Sequence, residues 1–350
     1  MTAVDFIVPG DIETLTGGYI YDRRVVEGLT ERGWKTTVHS LDTGFPAPGR
    51  AALDEARAVF AAIPSGRLVV IDGLALGGSA AILRSETNRL RLCALVHHPL
   101  ALETGLDAAE TAALQRAETQ SLAAVQRVIV TSPWTMRALA DYGVSAERIT
   151  VVKPGTDPAP PRRTSNGATL RLLCVAALTA RKGHAILFDA LGRLADRDWH
   201  LQCAGSLTRD AALAAALRAE IERLGLGDRI TLLGELAPDE LAGHYENCDL
   251  FVLASYLEGY GMVLGEAIAR GIPVVATAAG AIPDTVAPAA SVLVPPGDSA
   301  ALGRALATVM DDRELLSRLT EAAHAGRGTL PDWDETSKRF GEALGQLVQT

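Results

Sequence analysis

The stretch LFVLASYLEGYGMVLGEAIARGIPVVAT, residues 250–277, contains the repeating unit of the fold. A short apolar strand, LFVLAS, is followed by a Gly-Tyr-Gly turn, a helix predicted over 260–270 and a second apolar strand, IPVVAT. Near-continuous apolar strands separated by helices are typical of parallel sheets buried on both faces. The same stretch holds two carboxylates, Glu258 just before the helix and Glu266 inside its first turns.

This alternation of apolar strands and helices runs along the whole chain. Residues 153–170, KPGTDPAPPRRTSNGATL, are rich in proline and glycine and indicate a linker near 155–168. The sequence therefore predicts two doubly wound, Rossmann-like α/β domains facing across a cleft, one formed by 1–158 with the C-terminal helix 332–350 and the other by 159–331. The strands are predicted at VDFIV, KTTVHSL, RLVVID, RLCALV, RVIVTS and ITVVK, and then at LRLLCVAAL, WHLQCAG, RITLLG, LFVLAS, IPVVAT and SVLVP.

Composition narrows the class of protein. Of 350 residues, 48% are hydrophobic and 21% charged, which is typical of a soluble globular protein, and the net charge of −9 argues against a nucleic-acid partner. No apolar run reaches the roughly 18 residues that span a bilayer. The negative charge weakens docking to an anionic membrane without excluding it, so peripheral membrane contact stays open but is not indicated. The N-terminal MTAVDFIVPGD lacks a basic region, so we expect no signal peptide and a cytoplasmic location. Oligomeric state is not readable from the sequence.

The four cysteines lie far apart and form no CxxC pair. They occur mostly in apolar strand-like runs, so we interpret them as reduced core residues rather than as metal ligands or disulfide partners. They are Cys93, Cys174, Cys203 and Cys248.

Candidate site residues follow the strands, because ligands of doubly wound sheets bind beyond the carboxyl ends of the strands. Arg181 and Lys182 come where a helix begins, against the helix dipole, and this favours two linked phosphates as ligand over a solvated charge pair. Glu258 and Glu266 have the carboxylates that accept hydrogen bonds from paired sugar hydroxyls. The alternative for both is a helix start stabilised by acids.

Two further positions lie in the first half. Gly17 and Gly18 open a helix where N–H groups can meet a phosphate, although a plain tight turn is as good an interpretation, and no GxGxxG fingerprint of a dinucleotide site is present. His97 and His98 follow the strand RLCALV. Side chains alternate along a strand, so only one of them faces the ligand edge, and the sequence leaves open which one.

At this point the motifs resemble a known family. EGYGMVLGEA is similar to the E-x7-E signature of retaining GT-B glycosyltransferases, most of all family 4, and LTARKGHAILFDAL is similar to their diphosphate-binding segment. ITVVKPGTD, RITLLGEL and LFVLASYLEGYG resemble other segments of that family in the same order. The resemblance implies a GT-B fold and a hexosyltransferase that uses a nucleotide-diphosphate sugar, with UDP as first choice and GDP as second.

The resemblance also implies residue roles. Glu258 would hold hydroxyls of the transferred sugar, Glu266 the ribose, and Arg181 with Lys182 the diphosphate. His97, with His98 as second choice, would contact sugar or acceptor. The remaining implied contacts are the approach of Gly17 and Gly18 to the diphosphate, base contacts near Glu235 and Leu236, and backbone contacts from Gly259, Tyr260, Gly261, Met262 and Val263. The family often has Phe where this chain has Tyr260.

The implied reaction is a retaining, front-face transfer to a small-molecule, glycan or lipid-linked acceptor, with no tightly bound cofactor and no essential metal. Two DxD patterns, Asp196–Asp198 and Asp332–Asp334, resemble metal motifs of the other major glycosyltransferase fold. The first precedes its strand and the second opens a helix, so we interpret both as structural. Alternative functions are a nucleotide-sugar epimerase, a sugar phosphorylase or a non-catalytic sugar-nucleotide binding protein. A dinucleotide oxidoreductase is disfavoured because GxGxxG is missing.

Overall fold

The computed structural model describes residues 2–162 and 169–348, with the side chain of residue 348 left out. Part of the predicted linker, residues 163–168, lies outside the described residues. The chain divides into two compact units. Unit 1 comprises Met1–Gly155 and Pro331–Thr350, and unit 2 comprises Thr156–Leu330. The sequence-based boundaries, 158/159 and 331/332, lie within a few residues of these divisions.

Twelve strands form two sheets in the described residues. In chain order they are β1 (Ala3–Pro9), β2 (Lys35–Leu41), β3 (Leu68–Asp72), β4 (Arg91–Val96), β5 (Arg127–Val130), β6 (Ile149–Val151), β7 (Leu170–Val175), β8 (Trp199–Ala204), β9 (Ile230–Gly234), β10 (Leu250–Leu253), β11 (Val274–Thr277) and β12 (Ser291–Val294).

Helices connect the strands. In chain order and among the described residues they are α1 (Gly17–Glu31), α2 (Arg50–Ala62), α3 (Gly73–Glu86), α4 (Ala108–Leu122), α5 (Pro133–Ala138), α6 (His184–Gly192), α7 (Ala211–Arg223), α8 (Pro238–Glu246), α9 (Met262–Ala269), α10 (Ile282–Thr285), α11 (Ser299–Asp311), α12 (Arg313–Gly326) and α13 (Trp333–Val348). Short 3-10 turns include Ala180–Lys182, which precedes α6. No described helix is both long and apolar enough to cross a membrane.

Unit 1 has a six-stranded sheet in the order β2-β1-β3-β4-β5-β6, and its paired strands are parallel. All residues of β3 are buried, because helices cover both faces. The C-terminal helix α13 packs within this unit. Its Phe340 stacks on Phe6 of β1 with ring centroids 6.1 Å apart, and the Thr336 hydroxyl donates to the Lys153 carbonyl over 2.9 Å. Phe340, Leu344 and Leu347 of this helix are buried, and Trp333 at its start is partly buried.

Unit 2 has a second parallel sheet in the order β12-β11-β10-β7-β8-β9. Its core includes Trp199, Phe188 and Phe251, all fully buried. Both sheets are parallel and sit in α/β units, so the predicted fold class is confirmed, and each predicted apolar run contains a strand.

The order of strands locates the ligand-binding edge of each sheet. In unit 2 the first strand, β7, lies between β8 and β10, so the chain winds in opposite directions on the two sides of β7. In unit 1, β1 lies between β2 and β3 in the same way. Doubly wound sheets bind ligands beyond the carboxyl ends of the strands at such a reversal. Ligands are therefore expected at the loops after β7 and β10 and at those after β1 and β3.

Candidate functional site

The reversal between β7 and β10 brings Arg181 and Lys182 next to the loop that contains Glu258. The turn Ala180–Lys182 follows β7, and the Tyr256 N–H donates to the Arg181 carbonyl over 2.7 Å. Gly183, at φ 66°, ends this turn, and a Cβ there would lie 2.1 Å from the Ala254 carbonyl oxygen. Only glycine permits so close an approach of the two loops.

The Glu258 carboxylate is the centre of a buried charge network. Lys182 Nζ donates to Glu258 Oε1 over 2.6 Å, and the Ser255 hydroxyl donates to the same oxygen over 2.6 Å. Arg181 Nη1 lies 3.7 Å from Glu258 Oε2 and donates to the Leu257 carbonyl over 2.8 Å. Two predicted phosphate-binding cations and one predicted sugar-binding carboxylate thus contact one another directly.

The charges in this network decide the protonation of Glu258. Burial raises the pKa of its carboxyl, but the charges of Lys182 and Arg181 and the hydrogen bonds from Lys182 and Ser255 outweigh burial and hold the pKa below its usual range. Glu258 is therefore ionised at neutral pH. Together with Arg181 and Lys182 it leaves one net positive charge at the carboxyl edge of the sheet, which suits an anionic ligand.

The loop after β11 supports Glu258 from behind. The Ala281 N–H donates to the Glu258 carbonyl over 2.8 Å, and a Cβ on Gly280 would lie 2.3 Å from that same oxygen. The Thr277 hydroxyl, at the end of β11, donates to the Ser255 carbonyl over 2.5 Å. Backbone contacts from a neighbouring strand end therefore fix the position of the carboxylate.

Helix α9 begins at Met262, four residues after Glu258, rather than at 260 as predicted. Its N-cap is Gly261, which has φ 85° and no side chain to accept from the first turn. The early N–H groups of an α-helix, here those of Met262 and Val263, have no acceptor within the helix. This helix start is thus able to donate to an anion.

Glu266 lies within α9, where the Tyr245 hydroxyl donates to its Oε2 over 2.9 Å. Burial raises the pKa of Glu266, and the hydrogen bond from Tyr245 and the charge of Arg270 oppose this rise without cancelling it. Arg270 lies over the Tyr245 ring at 4.6 Å from the centroid. One carboxylate oxygen of Glu266 is therefore held in place by a buried phenol.

Glu235 and Leu236 lie in the loop after β9, the edge strand of the sheet. Strand β8 lies between β9 and β7 in the sheet. Glu235 is exposed. Leu236 lines a shallow surface pocket of about 540 Å³ together with Gln202, Glu240, Gly243, His244 and Asn247.

In unit 1 the imidazole of His97 meets two buried carboxylates. Its Nε2 lies 3.0 Å from Asp22 Oδ1 and 3.5 Å from Asp72 Oδ2. Burial lowers the pKa of His97, but the charge of Asp22 and hydrogen bonds to Asp22 and Asp72 more than offset it and raise the pKa to about 10. Burial raises the pKa of Asp22 to about 6. His98 points elsewhere, with its Nε2 at 3.4 Å from Glu103 Oε2.

The start of α1 lies against His97. A Cβ on Gly18 would be 3.3 Å from His97 Cδ2, so glycine lets the helix approach the ring. Gly17 is the first, exposed residue of α1, and Thr16 caps the helix by accepting from the Tyr19 N–H over 3.2 Å. The structure thus brings Gly18 and His97 together in one cluster with Asp22.

Several residues of these clusters escaped the sequence analysis. Asp72 is the last residue of β3, and Ser255 lies two residues after the end of β10. Both are therefore close enough to a strand end to be found from the sequence. Asp22 and Tyr245 lie within helices, and no sequence signal connects Asp22 with a histidine 75 residues away.

Two groups of side chains among the described residues have ligand atoms close enough to bind a metal ion. One is Asp22, Asp72 and His97, and the other is Cys174, His184 and Cys203. The two DxD patterns have structural partners instead. Asp198 accepts from Thr169, and Asp332 accepts from the Glu335 N–H at the start of α13.

Comparison with known proteins extends these observations. The family model "Glycosyl transferases group 1" matches residues 159–325, and "Glycosyl transferase 4-like domain" matches residues 11–155. The D-inositol 3-phosphate glycosyltransferase of Corynebacterium efficiens is 33% identical over 211 residues, which are 54% of this chain and 50% of that protein. The chain spans about half the length of the curated relatives that it matches first.

Solved structures match the whole chain in fold. Sucrose-phosphate synthase from Thermosynechococcus elongatus superposes with a TM-score of 0.86 at 22% identity, covering 100% of both chains. HepE of Anabaena, solved in complex with UDP and glucose, superposes with a TM-score of 0.76 at 18% identity, covering 98% of this chain and 99% of that one. With two glycosyltransferase models matching residues 11–155 and 159–325, the chain belongs to the glycosyl transferases of group 1 and has their GT-B fold.

Proposed function

We propose that the protein is a retaining glycosyltransferase that moves a sugar from a nucleotide-diphosphate sugar to a hydroxyl acceptor. The observation that supports this most strongly is the Arg181–Lys182–Glu258 network at the reversal between β7 and β10. It combines a net positive charge for a diphosphate with a buried, ionised carboxylate for sugar hydroxyls. The adjacent start of α9 adds backbone N–H donors.

The donor contacts follow from this arrangement. Arg181, Lys182 and the N–H groups of Met262 and Val263 bind the diphosphate, and Glu258 binds hydroxyls of the sugar. Glu266, oriented by Tyr245, binds the ribose hydroxyls. Backbone groups near Glu235 and Leu236 contact the base. UDP is our first choice of nucleotide, since HepE was solved with UDP, and GDP is the second.

The chemistry follows from the bond that breaks. Negative charge develops on the phosphate oxygen as it leaves the anomeric carbon, and Arg181, Lys182 and the start of α9 stabilise it. Loss of one such preorganised donor typically costs about 3–4 kcal/mol of transition-state stabilisation. The acceptor attacks from the same face, and the leaving phosphate takes its proton. Because two cations supply positive charge at this position, we propose that no metal is essential for the transfer.

In unit 1 we assign contacts with the sugar or acceptor to His97. Its side chain is 20% exposed, while Nε2 is occupied by Asp22, so Nδ1 is the ring nitrogen left to meet a substrate hydroxyl. We also assign to Gly17 and Gly18 the role of leaving the start of α1 open, so that its backbone N–H groups can donate to a phosphate. The acceptor we propose is a hydroxyl compound: a small molecule, a glycan or a lipid-linked acceptor.

Calorimetric titration with UDP, GDP, ADP and TDP in the absence of metal tests the donor assignment, using the wild type and two glutamate variants. We expect one diphosphate to bind the wild type, and Glu266→Ala to weaken that binding about tenfold or more because the ribose loses its acceptor. Glu258→Gln should bind the free nucleotide as well as the wild type or better, because Lys182 loses the carboxylate that competes with phosphate.

The transfer itself is measured with the matching nucleotide sugar. Glu258→Gln should lower kcat about 100-fold or more while leaving nucleotide affinity intact. Arg223→Gln, whose guanidinium pairs with Glu220 on the surface of α7, serves as the control with unchanged binding and rate. Equal nucleotide affinity in wild type and Glu266→Ala would overturn the ribose assignment. Conversion of the nucleotide sugar without an acceptor would indicate an epimerase instead.

A further inference from the structure

Two cysteines and a histidine converge inside unit 2, away from the charged network. Cys174 of β7 and Cys203 of β8 are register partners in neighbouring parallel strands, so their side chains leave the same face of the sheet. His184, the first residue of α6, lies over this face, with Nε2 3.9 Å from Cys174 Sγ. The three donor atoms lie within 4.8 Å of one another, and all three residues are buried.

The distance between the Cys174 and His184 donor atoms is close to the donor–donor distance around a thiophilic metal ion. Zinc binds cysteine sulfur at about 2.3 Å and histidine nitrogen at about 2.0–2.1 Å, which places tetrahedral donors about 3.6–3.8 Å apart. The Cys174–His184 separation of 3.9 Å is close to that value.

Charge balance favours a divalent ion. Two thiolates and a neutral imidazole around a doubly charged cation carry no net charge, and a buried apolar setting tolerates a neutral group far better than an isolated charge.

The Nε2 atom of His184 faces sulfur. It lies 3.9 Å from Cys174 Sγ, a long and weak contact that leaves the nitrogen able to bind a metal ion. The buried Nδ1 has no hydrogen-bond partner among the described residues, and an ion bound to Nε2 does not supply one.

We propose that Cys174, Cys203 and Nε2 of His184 form a binding site for a thiophilic divalent cation, with Zn²⁺ as its representative. The site joins β7, β8 and the first residue of α6, directly after Arg181 and Lys182. Bound metal would therefore fix the turn Ala180–Lys182 against the sheet. The proposal does not depend on the transferase assignment.

Titration of the reduced, folded protein with Co²⁺ tests the site. We expect one equivalent to produce a thiolate-to-cobalt charge-transfer band in the near ultraviolet, and Zn²⁺ to displace it. Cys174→Ser and Cys203→Ser should each reduce the band and weaken binding at least tenfold. Cys93→Ser and Cys248→Ser are matched controls, since both cysteines are buried and free but lie outside the cluster, and they should keep the band. Asp22→Asn should also keep it, which excludes the other group of ligands.

Absence of the band at equimolar Co²⁺ would overturn the proposal, as would a band that survives both cysteine changes. Because the serine variants risk misfolding, zinc-edge X-ray absorption of the zinc-loaded wild type provides a second measurement. Two sulfur neighbours at about 2.3 Å support the site. A shell of oxygen and nitrogen alone contradicts it, and so does a Cys174–Cys203 disulfide whose reduction yields no metal binding.

Discussion

Asp22 sets the charge of His97. Its carboxylate is fully buried and its Oδ1 lies 3.0 Å from the imidazole Nε2, so an imidazolium is stabilised where burial alone would favour the neutral ring. The two pKa values, about 6 for Asp22 and about 10 for His97, define a window in which the aspartate is ionised and the histidine protonated. A charged imidazole at neutral pH can donate a hydrogen bond from Nδ1 but cannot act as a base there.

The prediction at this scale is that Asp22→Asn lowers the pKa of His97 by several units, toward or below 6.5. Burial, which opposes the charged ring, would then be offset only by the more distant Asp72. The raised pKa of His97 also makes the folding stability depend on pH. A histidine pKa raised in the folded state stabilises the protein fully below about pH 6.5, and this contribution is lost as pH rises toward 10. Titration of the His97 ring protons by NMR measures the shift.

The exposed Asp141→Asn serves as the control for that experiment and should leave the His97 titration unchanged. If the ring of Asp22→Asn still titrated near pH 10, Asp72 rather than Asp22 would be the residue that holds the proton. In a transfer assay, the wild-type rate should stay on a plateau across neutral pH, whereas the variant should show a new titration near neutrality.

At the scale of elements, the turn that joins β7 to α6 depends on Gly183. Its φ is 66°, and a Cβ at this position would lie 2.1 Å from the Ala254 carbonyl oxygen, so any side chain must displace one of the two loops that hold Arg181 and Glu258. Gly225 has nearly the same backbone, φ 69°, with no atom within 4 Å of an added Cβ. Comparing an alanine substitution at each glycine therefore separates two free-energy costs: backbone strain, which both share, and the steric clash with the Ala254 carbonyl, which only Gly183 has.

We predict that Gly225→Ala costs about 1 kcal/mol of unfolding free energy through backbone strain alone. Gly183→Ala should cost more, about 3 kcal/mol or above, and should also weaken nucleotide diphosphate binding because Arg181 and Lys182 move with the turn. Urea unfolding and calorimetric titration of both variants measure these effects. Equal losses of stability in the two variants would mean that the loop relaxes without cost.

The strands were easier to predict from the sequence than the contacts between residues that lie far apart in it. The apolar runs revealed each strand of the described sheets, and strand ends revealed Glu258, Arg181 and Lys182, because both signals are local in sequence. The pairing of Cys174 with Cys203, and of His97 with Asp22, depends instead on strand order and helix placement. Strand order and helix placement arise from long-range packing, which the sequence does not show directly. The four cysteines therefore looked alike in sequence, although Cys174 and Cys203 are register partners and His184 lies beside them.

At the scale of the molecule, each unit has a hydrophobic cluster of its own among the described residues. One contains Trp199, Phe188 and Phe251 in unit 2, and the other contains Phe45, Phe60 and Tyr142 in unit 1. Each core packs around its own parallel sheet, and each unit is large enough to unfold cooperatively. The proposed nucleotide contacts, from Arg181 to Glu266, belong to unit 2.

We therefore predict that UDP, or GDP if it proves to be the nucleotide bound, mainly stabilises unit 2. At about 100 times Kd, a ligand that binds only the folded state adds about 2.7 kcal/mol, which corresponds to a rise in Tm of about 5–10 °C for a unit of this size. Hydrogen exchange followed by mass spectrometry assigns the effect, since peptides from β7 and β10 should gain protection more than peptides from β3 and β4. A tenfold weaker affinity in Glu266→Ala should reduce the gain to about 1.4 kcal/mol or less at the same nucleotide concentration. Equal protection of both units, or undiminished protection in this variant, would place the nucleotide's main contacts outside the residues assigned to it.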